Sequence, residues 1–502
     1  MALSPEDVRR CTQLLEALVA DRGLLIGISE IDRIAFLTAV GRVAIPDRDD
    51  EVRLAKAVRR SRSLAKRDHD RSVRAATEIR TARREAVYTA PQAAALPAGV
   101  PRPERVLETP RHCYVCKVEF RRLHFFYDAM CGDCGELNYA KRFQTASLEN
   151  KVALITGARV KIGFQASLML LRAGARVIAT TRFPNDAAER YSREADFSAW
   201  GHRLQVHGLD LRHAPSVEIF ARHIARTHDR LDVLINNAAQ TVRRPPGFYR
   251  HLLEGEQRRT NQLPGPAQPL LLGHQQVLQE LHPDRGSGLL PSWRSGDPGL
   301  GIHASAALSL VPYDLEQSGD SAQLFPKGKL DADLQQVDLR SVNSWRLTLS
   351  EVATAEMLEV HLVNAVAPFI LCSKLKPLML KDRSEPGHIV NVSAMEGSFS
   401  RGTKTDKHPH TNMAKAALNM LTLTSAPDYA KSKIFMNAVD TGWVTDEDPV
   451  QHAERKIEEL DFQPPLDIVD GAARVVDPVF EATRTGKLPY GMFFKDYKPT
   501  PW

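Results

Sequence analysis

Residues 151–163 read KVALITGARVKIG, and their reading decides the fold. KVALITG is a short apolar run of the length of a strand buried on both faces, and it ends on a glycine. The following FQASLMLLRAG (164–174) carries apolar residues at helical spacing up to Gly174, a helix-ending glycine. A strand that delivers Thr156 and Gly157 into a turn opening a helix offers backbone N–H groups and a helix N-terminus to a pyrophosphate. One such turn is a weak signal alone. Here it is the first of an ordered set.

Working outward, ARVIATTR (175–182), DVLINNAA (232–239), GHIVNVSA (387–394) and IFMNAVDTG (434–442) are further strand-like runs separated by helical stretches. Apolar strands alternating with helices predict an α/β fold, a Rossmann-type doubly wound parallel sheet covered on both faces. Arg182 closes the second strand where an acidic residue would bind a ribose 2'-hydroxyl, which favours the 2'-phosphate of NADP, with NAD as the other cofactor of the pair. A surface arginine is the plainer alternative. A stretch at about 255–342, rich in Pro, Gly, Gln and Leu (LPGPAQPLLLGHQQ), interrupts the rhythm as an insertion of loops and short helices.

Upstream, Cys113, Cys116, Cys131 and Cys134 spell C-x2-C-x14-C-x2-C. Two tight turns with two thiolates each can bring four sulfurs to one Zn²⁺, so residues 111–145 are expected to form a small zinc-ribbon-like module with a structural metal; redox thiols are the alternative. Arg121, Arg122, Phe125, Phe126 and Tyr127 between the knuckles suit nucleic acid or, more simply, the core of a small module. With only six cysteines in the chain, a disulfide framework is not expected, and a reducing, cytoplasmic setting is.

The N-terminal region, 1–88, is read as helical and basic. Ser4 and Ser29 are placed as N-caps of two helices, with Pro5 at the first helical position. The net charge of +6 is concentrated: residues 52–84 hold 12 Lys/Arg against 3 Asp/Glu. That stretch could attract nucleic acid or an acidic partner, or be a solvated helix. A Pro/Ala-rich linker follows at 89–110, and residues 146–502 form the main domain. The sequence has no uninterrupted apolar run of about 18 residues and starts without a signal-like apolar stretch, so no membrane association is expected.

Together these residues resemble the short-chain dehydrogenase/reductase family over residues 148–502 outside the insertion. TGARVKIG (156–163) is similar to its T-G-x-x-x-G-x-G turn, and NNAA (236–239) to its N-N-A-G. The resemblance implies cofactor contacts from Thr156, Gly157, Lys161, Ile162, Gly163, Arg182, Asp210 (at the adenine), Asn237, Ala238, Lys415 and Thr445. It implies catalytic positions at Asn364, Ser393 and Lys415, and hydride transfer between a nicotinamide and a small carbonyl or alcohol substrate. A dimer or tetramer through the helices flanking the sheet is the family's expectation. YGMFFKDYKPTPW (490–502) resembles the closing strand and tail.

Two departures stand out. Lys161 replaces the middle glycine of the turn, at a cost of about 1 kcal/mol if its backbone has positive φ. Thr411 occupies the position of the catalytic tyrosine, four residues before Lys415. Three accounts follow: His408 or His410 replaces the acid; a water held by Ser393 and Thr411 relays protons from Lys415; or nucleotide binds without turnover, as in a regulatory protein. Tyr429 lies too far along the helix to substitute. A nucleic-acid binder built on the ribbon and the basic stretch is a third class.

Overall fold

The computed structural model describes residues 3–85, 87, 104–281, 296–311, 321–331, 333–381 and 385–502. The expected linker lies outside the described residues up to 103, as do three parts of the insertion, while the linker's last residues, 106–110, belong not to a linker but to a strand, Val106–His112, that runs on into the cysteine module. The chain divides into two compact units, Met1–Asp70 and Arg71–Trp502.

In the first unit, Pro5–Ala20 and Glu30–Ala44 are helices. Ser4 forms a capping box with Asp7, and the Ser29 hydroxyl accepts from the Asp32 N–H, so both expected caps are in place. The helix Arg48–Ala75 carries most of the basic stretch.

Among the described residues the second unit contains ten strands: β1 (Val106–His112), β2 (Glu119–Arg122), β3 (Val152–Thr156), β4 (Arg176–Thr181), β5 (Leu204–Gly208), β6 (Val233–Asn236), β7 (Gly387–Ser393), β8 (Ile434–Asp440), β9 (Phe493–Lys495) and β10 (Lys498–Thr500). β1 and β2 pair antiparallel. The other eight form one sheet in the order β10-β9-β8-β7-β6-β3-β4-β5, parallel except for β10. β5 has no counterpart among the strands read from the sequence. Gln205 and His207 break its apolar run, and the insertion supplies His274 to accept a hydrogen bond from Gly208 N–H.

Alternation along the strands sends side chains to two cores. Ile155, Ile235, Val390 and Val439 pack with helices Lys161–Arg172 and Ile468–Thr485 on one face. Leu154, Leu234, Ile389 and Met436 pack with helices Ala214–Thr227 and Ala367–Met379 on the other. Each fully buried side chain of this kind contributes about 1.5–3 kcal/mol, which is why the apolar runs fix the sheet. By length and composition the run Thr354–Met379 could cross a membrane; here it is one of the helices covering the sheet.

Gly174 has φ +102 and ends the first helix after β3, as the sequence requires. The strand and helix assignments made from period alone therefore meet the structure at the elements that carry the turn. A third core joins Leu107 of β1 and Phe126, Tyr127 and Met130 of the cysteine module to Ile468, Val469 and Val444 of the main domain.

Candidate active site

The turn after β3 is built around two places where only glycine fits. Gly157 has φ +67, and a Cβ there would meet the Ala238 backbone at 2.8 Å. A Cβ on Gly163 would meet the Gly157 carbonyl oxygen at 2.2 Å and the Asn237 amide nitrogen at 2.4 Å. Lys161 has φ +54, so the departure from glycine does carry the left-handed strain. The Thr156 hydroxyl accepts from the N–H groups of Asn237 (3.1 Å) and Ala238 (3.0 Å), while the Asn237 amide donates to the Thr156 carbonyl at 2.9 Å. These bonds lock the turn to the end of β6.

Beside the turn, at the C-terminal ends of the strands, lies a cavity of about 510 Å³. Every cofactor residue expected from the sequence lines it except Thr156 and Lys415. Arg182 donates to the Tyr249 hydroxyl at 2.8 Å and to Ser309 at 3.1 Å, with its guanidinium 4.7 Å from the Tyr249 ring centre. Asp210 is buried. Burial pushes its carboxyl up, but the Arg212 guanidinium at 2.6 Å outweighs this and holds it below the ordinary range.

Two contributors to this cavity were missed by the sequence reading. Arg159, inside the quoted turn, lines it and pairs with Asp186 at 2.7 Å. The insertion supplies Asp331, Gln335, Val337 and Asp338 to the wall, a role no local pattern signalled.

The candidate catalytic residues Asn364, Ser393, Thr411 and Lys415 are all buried, and none of them lines the cavity. Asn364 lies in a π-helical turn, Leu362–Val366, and its amide both accepts from Gln240 N–H (2.8 Å) and donates to Gln240 C=O (2.9 Å). Ser393, at the end of β7, donates to the Asn419 side-chain oxygen at 2.5 Å. The Lys415 ammonium donates to the Val392 carbonyl at 2.8 Å, and neither residue lines the cavity. Burial lowers it to about 8, against the pull of Glu396 and Asp440. Thr411 donates to the carbonyl of Thr241, a cavity residue, at 3.3 Å.

The histidines have a different place from the one their sequence positions suggested. His408 has φ +42 and stacks on Trp345, ring centres 4.0 Å apart. His410 is buried, its ring nitrogens have no hydrogen-bond partner among the described residues, and burial lowers it to about 4. It is a neutral imidazole near pH 7 and holds no proton to give as an acid there. Tyr429 donates to the Cys372 carbonyl at 3.1 Å, engaged at the far end of its helix. One carboxyl was overlooked: Asp440 stands opposite Ser393 in the β7/β8 register, accepts from Met395 N–H at 3.2 Å and is raised to about 6 by burial.

The four module cysteines place their Sγ atoms within 4.8 Å of one another, with Cys116 and Cys131 at 3.7 Å. Four sulfurs at about 2.3 Å around zinc would lie about 3.8 Å apart, so the donor set and its spacing fit that ion. Burial pushes the Cys113 thiol up, but backbone N–H groups of the knuckles outweigh this and bring it to about 7, favouring thiolate.

Comparison with known proteins agrees with this architecture. The family model described as short chain dehydrogenase matches residues 151–260, and that described as Enoyl-(Acyl carrier protein) reductase matches 309–466. An uncharacterized protein, R665, of Acanthamoeba polyphaga mimivirus is 30% identical over 399 residues, covering 77% of this chain and 74% of that protein. Retinol dehydrogenase 13 of Mus musculus is 32% identical over 94 residues, 19% of this chain and 28% of that protein. Among solved structures, an NADPH-bound carbonyl reductase from chicken fatty liver matches at 17% identity with a TM-score of 0.38, covering 71% of this chain and 100% of that one. With a nucleotide-type turn, parallel sheet and ordered motifs matched by two family models, the chain belongs to the short-chain dehydrogenase/reductase family.

Proposed function

We propose that the protein is an NADP(H)-dependent oxidoreductase that interconverts a carbonyl and an alcohol. The observation that carries this reading is the glycine cradle, where added Cβ atoms at Gly157 and Gly163 have no room, facing Arg182 across one cavity. The cradle suits a pyrophosphate, and Arg182 suits a 2'-phosphate. When bound, the nicotinamide supplies or accepts the hydride. Ser393 polarises the substrate oxygen. Lys415, still largely protonated at neutral pH, is the proton source, and the Thr411 hydroxyl with a water carries that proton where the family's tyrosine would act. Asn364 holds the wall at Gln240, and His410 shapes the site as a neutral ring. A screen of carbonyls and alcohols following NADPH absorbance tests the proposal, with Ser393→Ala and Lys415→Ala as controls that should each lose turnover.

A second reading, a nucleotide-dependent regulatory protein, is favoured by one observation: Ser393 and Lys415 both spend their donors internally, on Asn419 and Val392. NADPH binding without turnover in that screen would select it. We further propose a structural zinc in the four-cysteine module, self-association through the exposed apolar residues Phe369, Met413 and Met420 on the flanking helices, and a reducing, cytoplasmic location. The exposed basic residues of helix Arg48–Ala75 are offered as a contact for an acidic partner.

A further inference from the structure

Much of what the proposed reaction leaves unused converges on one segment, residues 443–466. It leaves the end of β8, lines the cofactor cavity from Thr445 to Val450, continues as helix Val450–Leu460 and returns to helix Ile468–Thr485. Its ends are tied together by Leu466 N–H donating to the Trp443 carbonyl at 3.3 Å. Asn343, donating to the Glu447 carbonyl at 2.8 Å, and Arg346, paired with Asp448 at 3.3 Å, hold its cavity-facing stretch from one side, and the chain before residue 130 holds the rest.

Asp461 is the hub. It ends the helix with φ +49, and its carboxylate receives Arg74 at 2.7 Å and Arg80 at 2.9 Å. A second Arg80 nitrogen donates to the Asp461 carbonyl at 2.9 Å. Arg80 also pairs with Asp128 at 2.6 Å, and both side chains are more than nine-tenths buried. Asp128 lies between the two cysteine pairs, so Arg80 joins the cysteine module directly to Asp461. Arg83 donates to the carbonyls of Pro464 (2.6 Å) and Leu466 (2.7 Å), and Arg71 to that of Ile457 at 3.2 Å. Guanidinium groups at a helix C-terminus and on the carbonyls beyond it are well placed, because those oxygens lack intrahelical donors and carry the negative end of the dipole. Part of the basic stretch is therefore committed within the chain.

The other end of the segment is held by Tyr114, which sits between Cys113 and Cys116. Its hydroxyl accepts from Trp443 N–H at 2.9 Å, and a Cβ on Gly442, which has φ +74, would come within 3.1 Å of that oxygen. The Tyr114 N–H is itself fixed on the Ala129 carbonyl at 2.8 Å. The sequence neighbours on both sides of this tyrosine's turn are metal-type ligands, so whatever clamps the cysteines also fixes the hydroxyl that meets Trp443. The mimivirus relative is matched over 77% of this chain, more than residues 148–502 alone make up, so that similarity reaches into the region before residue 148.

We infer that residues 71–83 and the cysteine module form a brace that positions segment 443–466 against the cofactor cavity, so that metal held by the four cysteines strengthens dinucleotide binding. Tyr114, Arg80 and Asp461 are positioning residues in this arrangement. The coupling to dinucleotide rests on the functional reading above; the brace itself does not.

The test uses the full chain and two readouts. Hydrogen exchange of residues 443–466 is measured without cofactor, before and after zinc is stripped with a chelator, and NADPH affinity is measured by fluorescence titration in the same samples. Tyr114→Phe removes a single acceptor and keeps the ring; Asp461→Asn removes the charge at the hub. Faster exchange at the Trp443 amide is expected in Tyr114→Phe and after zinc removal, faster exchange at 457–466 in Asp461→Asn, and NADPH binding weakened by roughly 2- to 10-fold in each, the range for one hydrogen bond. Unchanged exchange in Tyr114→Phe, whose fold is checked by circular dichroism, overturns the brace even if Asp461→Asn fails to fold. Protein that takes up no zinc, or exchange and affinity indifferent to zinc, overturns the metal coupling. If wild-type protein binds no NADPH, the cofactor reading and the dinucleotide coupling fall while the exchange data still decide the brace.

Discussion

Lys415 donates its ammonium to the carbonyl of Val392, one residue before Ser393, at 2.8 Å. The lysine and the serine are thus brought to one point by a helix and a strand that meet only in the folded chain. Loss of Lys415 should cost about 10² to 10⁴ in NADPH-dependent turnover, the usual worth of acid–base assistance, and loss of Ser393, a donor to the substrate oxygen, about 10² to 10³. Burial lowers Lys415 to about 8, so its proton is present below that pH and lost above it. Carbonyl reduction should fall as pH rises through about 8, and Lys415→Ala should abolish that limb. A pH–rate profile checks both.

Arg182 should set the choice of cofactor. A charge-assisted bond to a 2'-phosphate is worth about 1.5–3 kcal/mol, so Arg182→Ala should weaken NADPH binding by roughly 10- to 100-fold while changing NADH little. Parallel titrations with the two cofactors measure it. A preference that survives the substitution would assign discrimination to Arg159 or to the insertion wall.

One zinc per chain is expected by elemental analysis. Cys113→Ser together with Cys131→Ser should remove it and lower the melting temperature, because a structural zinc site contributes folding free energy directly. The aromatic cluster of the module, with the Phe125 and Tyr139 ring centres 4.8 Å apart, should loosen with it and be visible in near-UV circular dichroism.

Acid should destabilise the main domain through buried neutral imidazoles. Burial lowers both His388 and His274 to about 4, against an ordinary value near 6.5. A folded-state value below the unfolded one contributes stability that is present above pH 6.5 and lost as pH falls through about 4. For His388 the contribution is up to about 3 kcal/mol. The urea midpoint should drop across that window, and His388→Gln should flatten the drop.

The sheet was legible because KVALITG and the other apolar runs leave a chain few ways to bury them, and because Gly157 and Gly163 mark places where backbone approaches backbone. That Gly157, Lys161, Arg182 and Asn237 line one cavity was legible for the same reason: local turns and strand ends carry them there with little help from distant chain. The family resemblance, not local pattern, singled out Ser393, Thr411 and Lys415, and it said nothing about what their donors would meet. Asn419, Val392 and Thr241 come from positions whose neighbourhood exists only once helix and strand are packed. Burial likewise decided His410. In sequence it is an imidazole one residue from Thr411, and in the fold it is desolvated and neutral. Charge was the least readable property of all. The count of arginines in 52–84 was fixed by composition, but whether each faces water or a carboxylate is a long-range matter, settled for Arg80 by Asp128 and Asp461 lying 48 and 381 residues away. Pattern specifies what a segment can bury; only tertiary packing specifies which partner pays down the cost of burying a charge.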